Sequence, residues 1–225
     1  MQDDDKRVAA EAAVNEVRDG MLVGLGTGST AAHFIRALGA RSLRIEAVAT
    51  SEASAVQARS LGIAVRDFAE VARVDLTVDG VDEIDDACRA IKGAGGAMVR
   101  EKIVATASTR MIAIADGSKR VAALGAASLP IEVLPFARAF VCDALREGGL
   151  VPALRTGDAG PYRTDSGNLV FDCGGVAGRD VGELSAWIDG VPGVVGHGLF
   201  LCEIAAAYVA QDGIVSRLER NGDVG

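Results

Sequence analysis

What most constrains the fold of this chain is a repeated order: a short apolar run, a glycine-rich or acidic turn, then an amphipathic stretch. Residues 21–26 (MLVGLG) are apolar and end in glycine. The TGSTAAHFIRALG that follows puts Ala31, Phe34, Ile35 and Leu38 on one helical face, with Ser29 or Thr30 placed to cap it and Gly39 to end it. The order recurs as a strand over 43–50 and a helix over 51–61 with Ser51 as its cap. Further strands are predicted over 63–65, 74–78 and 110–115, and further helices over 6–17 and 97–108. Strands that alternate with helices in this way belong to a parallel sheet covered on both faces.

The pattern changes after Pro130. A strand over 131–134, a helix over 137–147, strands over 150–154 and 168–172, a helix over 180–188 and a last strand over 198–201 make a βαββαβ unit. The expected architecture is α/β: a Rossmann-like, mostly parallel sheet formed by 1–130 and 204–225, with a small ferredoxin-like α+β domain over 131–203. Residues 205–215, with Asp212 and Gly213 as a hairpin turn, should return to the first sheet, and the last few residues should fray.

Composition excludes several functions. The net charge of −8 provides no global basic field for nucleic acid or an anionic membrane. The four cysteines have no CxxC spacing, and His33 and His197 have no partner at metal-ligand spacing, so neither a metal nor a cofactor is expected. Without a signal peptide or an apolar run of membrane length, a cytoplasmic protein is expected.

Four segments carry chemistry. Residues 24–30 (GLGTGST) lie between a strand and a helix, where glycines admit a ligand and helix-start amides and hydroxyls offer donors to an anion. They match neither GxGxxG nor GxxxxGK[ST], which argues against nucleotides. Asp79, Asp82 and Glu83 crowd the carboxyl end of a buried strand, the ligand edge of an open α/β sheet. Lys92, Gly93, Ala94, Gly95 and Gly96 form an amide-rich loop beside a cation, and Glu101 on the next helix is placed to act over it as a base. Lys119, after Asp116 at another strand end, is a candidate phosphate partner.

These motifs together carry a resemblance. GLGTGSTAAHFI, TSEAS, DLTVDGVDEID, IKGAGGAMVREKIVA, IADGSK, LPIEVLPFA, TDSGNLVFDC and VPGVVGHGLF occur in the order of the ribose-5-phosphate isomerase A family, from about Lys6 to about Gly213. The resemblance implies an α/β main domain with a small α+β lid, a sugar phosphate as substrate and a homo-oligomer, dimer or tetramer. It implies Glu101 as catalytic base, with Asp79, Asp82 and Lys92 assisting. Thr27, Gly28, Ser29, Thr30, Asp79, Gly80, Val81, Asp82, Lys92, Gly93, Ala94, Gly95 and Lys119 match the substrate-binding segments. The departures are Ala94 where the family often has Gly, Val81 where Ala is usual, and Gly117; Ala94 would matter only at positive φ.

On that resemblance, Glu101 shuttles a proton between C2 and C1 through an enediolate. Lys92 and the amides of 93–96 meet the oxygen charge, and Asp79 and Asp82 manage hydroxyl protons. Residues alone leave two other classes open: an amino-sugar phosphate deaminase and a non-catalytic sugar-phosphate sensor. A metal-assisted hydride shift would need a ligand cluster that the sequence does not present.

Overall fold

The two largest sheets have separate cores, and one helix touches both. The structure is a computed structural model that describes residues 1–158 and 160–220. The first part runs α1 (Gln2–Val14), β1 (Leu22–Leu25), α2 (Ser29–Gly39), β2 (Glu46–Ala49), α3 (Glu52–Ser60), β3 (Ala64–Val65), β4 (Val74–Gly80), β5 (Glu83–Ile84), β6 (Ala90–Ile91), α4 (Met98–Ala107) and β7 (Ser108–Asp116). The chain continues through β8 (Leu129–Val133), α5 (Arg138–Glu147), β9 (Val151–Leu154), β10 (Thr156–Gly157), β11 (Gly160–Pro161), β12 (Leu169–Gly174), α6 (Val181–Asp189) and β13 (Val194–His197). It closes with β14 (Leu199–Phe200), β15 (Ile204–Gln211) and β16 (Ile214–Glu219).

The main sheet has the order β16-β15-β7-β4-β1-β2-β3, and every neighbouring pair is parallel except β15 with β16. Its strands are buried on both faces. In β7, Ile112 and Ile114 pack with Ala9 and Ala13 of α1 and Phe34 and Ile35 of α2, while Met111 and Ala113 pack on the other side with Ala105 of α4 and Phe200. Continuous apolar strands are what such two-sided burial requires. The chain turns from β1 to β2 on one side and reaches β4 on the other, so the carboxyl ends of β1 and β4 flank a topological switch point.

The second sheet has the order β13-β8-β12-β9 with all pairs antiparallel. Numbered by their place in βαββαβ, these strands run 4-1-3-2, which is ferredoxin-like. Leu129, Ile131, Val141, Leu145, Phe171, Leu184 and Ile188 form its core. Helix α4 touches β4 and β7 of the main sheet and β8 and β13 of the second.

Three local expectations need correction. Gly28, at φ +100°, is the N-cap of α2 and leaves its first turn without a side-chain cap, so neither Ser29 nor Thr30 caps it. The final strand of the second sheet is β13, upstream of 198–201; Leu199 and Phe200 instead pair with β6 in a three-stranded sheet ordered β14-β6-β5. Two-residue strands carry no period for sequence reading to detect. Helix α1 begins at Gln2, with Asp3, Asp4 and Asp5 in its first turn, where the helix dipole favours carboxylates. The Asp212–Gly213 turn forms with both residues at positive φ (52° and 78°), the geometry of a tight hairpin. Residues 221–225, where fraying is expected, lie outside the described residues.

Candidate active site

Strand β4 delivers Asp79 and Gly80 to the switch point, and Asp79 is fully buried. Its Oδ1 accepts the N–H groups of Thr27 (3.0 Å) and Gly80 (2.7 Å), which ties the β1 turn to the end of β4. Gly26 makes this approach possible, since a Cβ there would fall 2.0 Å from Asp79 Oδ1.

Lys92 follows β6 and is 2% exposed. Its ammonium lies 2.9 Å from Asp79 Oδ2 and 3.1 Å from Glu101 Oε2, and it donates to the Gly80 carbonyl at 2.5 Å. Glu101, on the first turn of α4, is 3% exposed. Asp79 Oδ2 and Glu101 Oε2 therefore have Lys92 at ion-pair distance but no aligned hydrogen-bond donor among the described residues. Burial and the neighbouring Asp79 raise the Glu101 carboxyl to about 8, against the pull of Lys92. Burial also raises Asp79. Burial works against the Lys92 charge, yet Asp79 and Glu101 outweigh it and hold the ammonium above its ordinary value. Two carboxyls and one nearly buried ammonium form a proton-holding unit with less counter-charge than acid.

A cavity of about 220 Å³ opens above this unit. Thr27, Gly28, Ser29 and Thr30 border it from the β1–α2 turn, and Gly80, Val81 and Asp82 border it from the end of β4. Lys92, Gly93, Ala94, Gly95 and Glu101 form the reactive wall, and Lys119 comes in after β7. The structure thus gathers the sequence-predicted residues at one cavity, except Asp79, which lies beneath the wall and does not border it. Asp82 accepts the Ala94 N–H at 2.8 Å, so it also fixes the glycine loop. Ala94 is not at positive φ, and its Cβ carries no backbone penalty.

Lys6 was missed by sequence reasoning. It reaches from α1 to donate to Ser29 Oγ at 3.0 Å and borders the same cavity. The available signal was its rarity, as one of four lysines. Among the described residues neither Lys6 nor Lys119 has a carboxylate at ion-pair distance. Together with the uncapped amides of the α2 first turn they make an anion-accepting end to the cavity. His33 pairs with Asp3 at 2.9 Å on the α1–α2 side. His197 is the buried end of β13. No group of three His, Cys, Asp or Glu residues gathers at metal-ligand distance among the described residues. No helix among them is long and apolar enough to cross a membrane.

Fold and site define an α/β protein with a buried carboxyl–ammonium unit and an anion-accepting turn at its sheet switch point. Residues 46–213 match the family Ribose 5-phosphate isomerase A (phosphoriboisomerase A). The chain is 49% identical to ribose-5-phosphate isomerase A of Sphingopyxis alaskensis, over 94% of each chain, and 48% identical to that of Caulobacter vibrioides, over 96% of this chain and 98% of the relative. Its structure is similar to ribose 5 phosphate isomerase A from Neisseria gonorrhoeae, with a TM-score of 0.94 at 36% identity over 99% of both chains. It is equally similar, at TM-score 0.94 and 32% identity over 98% of this chain and 100% of the other, to a D-ribose-5-phosphate isomerase solved with phospho-erythronic acid. The chain belongs to the ribose 5-phosphate isomerase A family.

Proposed function

We infer that this chain is an aldose–ketose isomerase that interconverts D-ribose 5-phosphate and D-ribulose 5-phosphate. The observation that carries the reading is Glu101: a buried carboxyl at a cavity wall, raised to about 8 and 3.1 Å from a buried ammonium, in a chain of this family. A general base works best when its pKa lies near the operating pH.

In the proposed reaction the Glu101 carboxylate takes the proton from C2 and the electron pair moves toward O1, giving an enediolate. The same carboxyl returns the proton to C1 while O2 loses its own, leaving a C2 ketone and a C1 alcohol. Lys92 and the loop amides meet the oxygen charge; such donors are typically worth about 3–4 kcal/mol each. Asp82, at the wall, exchanges hydroxyl protons and assists opening of the sugar ring. Asp79, beneath the wall, sets the position and charge of Lys92. The phosphate is assigned to Lys6, Lys119 and the Thr27–Thr30 turn, where both cations lie without a carboxylate at ion-pair distance among the described residues.

Residues 131–203 are proposed to act as a small lid domain over a main domain of 1–130 and 204–225. A cytoplasmic homo-oligomer, dimer or tetramer, without metal or cofactor, completes the reading. The test is turnover of ribose 5-phosphate by the purified protein in D₂O, with and without EDTA. Ribulose 5-phosphate carrying deuterium at C1, formed at equal rates in both, is expected. Saturable binding of ribose 5-phosphate with no turnover would make the chain a sensor and sink the proposal.

A further inference from the structure

Resting on that isomerase reading, we propose that Arg155 is a positioning residue for the reaction: reaching over from the second sheet, it turns the peptide planes of the glycine loop so that the Gly95 N–H faces the sugar. Arg155 follows β9, far in sequence from the loop. Its side chain is 14% exposed and is gripped by Asp172 of β12, at 2.9 Å from Nε and 2.5 Å from Nη2. That two-point grip fixes the guanidinium plane. The remaining Nη1 donates to two successive loop carbonyls, Gly93 at 3.1 Å and Ala94 at 3.0 Å.

The consequence follows from peptide geometry. All peptide bonds here are trans among the described residues, and in a trans unit the C=O and the next N–H point in opposite directions. Holding the Gly93 carbonyl toward Arg155 sends the Ala94 N–H the other way, where it meets Asp82. Holding the Ala94 carbonyl likewise sends the Gly95 N–H away from Arg155. The Gly95 carbonyl is held in turn by the Tyr162 hydroxyl (3.3 Å), and the Gly96 N–H closes back on the Gly93 carbonyl at 2.9 Å. Among the described residues the Gly95 N–H has no partner in the chain, and Gly95 borders the cavity. Arg155 borders an adjoining hollow, which shares Asp82, Ala94 and Lys119 with the cavity, and does not itself border the cavity. The Ala94–Gly95 plane by itself would sample both orientations, because its flip changes φ at Gly95, where no Cβ opposes it. Arg155 removes that freedom from outside, and a donor fixed before the reaction is what stabilises developing charge.

The test compares wild type with Arg155→Ala, Arg155→Lys and Asp172→Asn. Arg155→Ala should lose about a hundredfold in kcat, in the range of a lost oxyanion donor, while KM stays within about threefold because the phosphate end is untouched. Affinity for phospho-erythronic acid, whose carboxylate presents two oxygens as the enediolate does, should fall with kcat and not with KM. Added guanidinium should restore part of kcat in Arg155→Ala. Asp172→Asn, which loosens the grip but leaves the donor, should lose less, and Arg155→Lys should lie between the two. Wild-type kcat and analogue affinity in Arg155→Ala would overturn the proposal. So would a kcat loss matched by loss of folded protein in circular dichroism across all three variants. Glu101→Gln runs alongside: an inactive wild type would overturn the isomerase reading itself, whereas an active wild type, a dead Glu101→Gln and an unimpaired Arg155→Ala would overturn only the role of Arg155.

Discussion

Two lysines face the same phenylalanine ring from regions of opposite character. Lys92 lies 5.4 Å and Lys102 5.2 Å from the centre of Phe200. On the cavity side of α4, Lys92 is held between Asp79 and Glu101, and its pKa is raised. One residue further along α4, Lys102 donates to the Leu199 carbonyl at 2.6 Å and sits 3.5 Å from His197 Nδ1. Burial lowers Lys102, with only partial compensation from Glu203 and Asp189. Burial and Lys102 together lower His197 to about 4. Its Nδ1 accepts the Leu199 N–H at 3.1 Å, which places the proton on Nε2 toward Ser185 and Asp189 at 3.2 Å. Desolvation acts on both lysines alike. The outcome differs because one has two carboxylates within contact and the other a carbonyl and a neutral ring. The first arrangement gathers two carboxyls and an ammonium at the cavity wall; the second pins α4 to β14.

The largest expected effect that would break this contrast is in Glu101→Gln. Removing the base should cost about 10³-fold in kcat, within the span of general-base contributions, with KM nearly unchanged; steady-state turnover near wild type would remove Glu101 from the mechanism. Next, Lys92→Met strands Asp79 as a buried charge and should cost about 3–5 kcal/mol in denaturant unfolding in addition to activity. Lys102→Met should cost only about 1–2 kcal/mol and leave kcat within about tenfold. Equal collapse of the two variants would erase the difference between the faces of α4.

Titration sharpens the comparison further. Glu101 must be ionised to act as a base and holds its proton up to about pH 8. The kcat/KM ratio should therefore rise about tenfold per unit as pH approaches 8 and level off above it; a flat profile from pH 6 to 9 would contradict the raised carboxyl. The effect of His197 is on stability alone. Its folded pKa of about 4 lies below the unfolded value of 6.5, so the unfolded chain binds the proton first as pH falls. Stability is then fully present above pH 6.5 and lost between 6.5 and 4, by up to about 1.4 kcal/mol per unit. His197→Gln should flatten that slope in urea melts at pH 7 and pH 5.

Much of the site was legible because its parts are local. A strand end followed by glycines or carboxylates reads directly from Gly24–Thr30 and Asp79–Asp82, and Glu101 is close enough in sequence to Lys92 to be read with it. The illegible parts depend on distant pairs. Nothing around Lys6 announces that α1 will lay it against Ser29, 23 residues on. Nothing around Arg155 or Tyr162 points to the carbonyls of Gly93, Ala94 and Gly95, more than 60 residues away. The strands β5 and β6 escaped for a related reason: each is two residues long and exists through its neighbours, and the strand read over 198–201 forms but pairs with β6 instead of the second sheet.

The sequence by itself determined the alternating strands and helices, the change of pattern after Pro130, and the residue types for holding an anion and moving a proton. Backbone preference and hydrophobic period act over a few residues, so such features survive without coordinates. Only the tertiary structure decided that Asp79 would lie beneath the wall, where burial and a single shared ammonium make Glu101 a weak acid. A pKa depends on what surrounds the group in three dimensions, and the surroundings of Glu101 come from the end of β4, the loop after β6 and the first turn of α4.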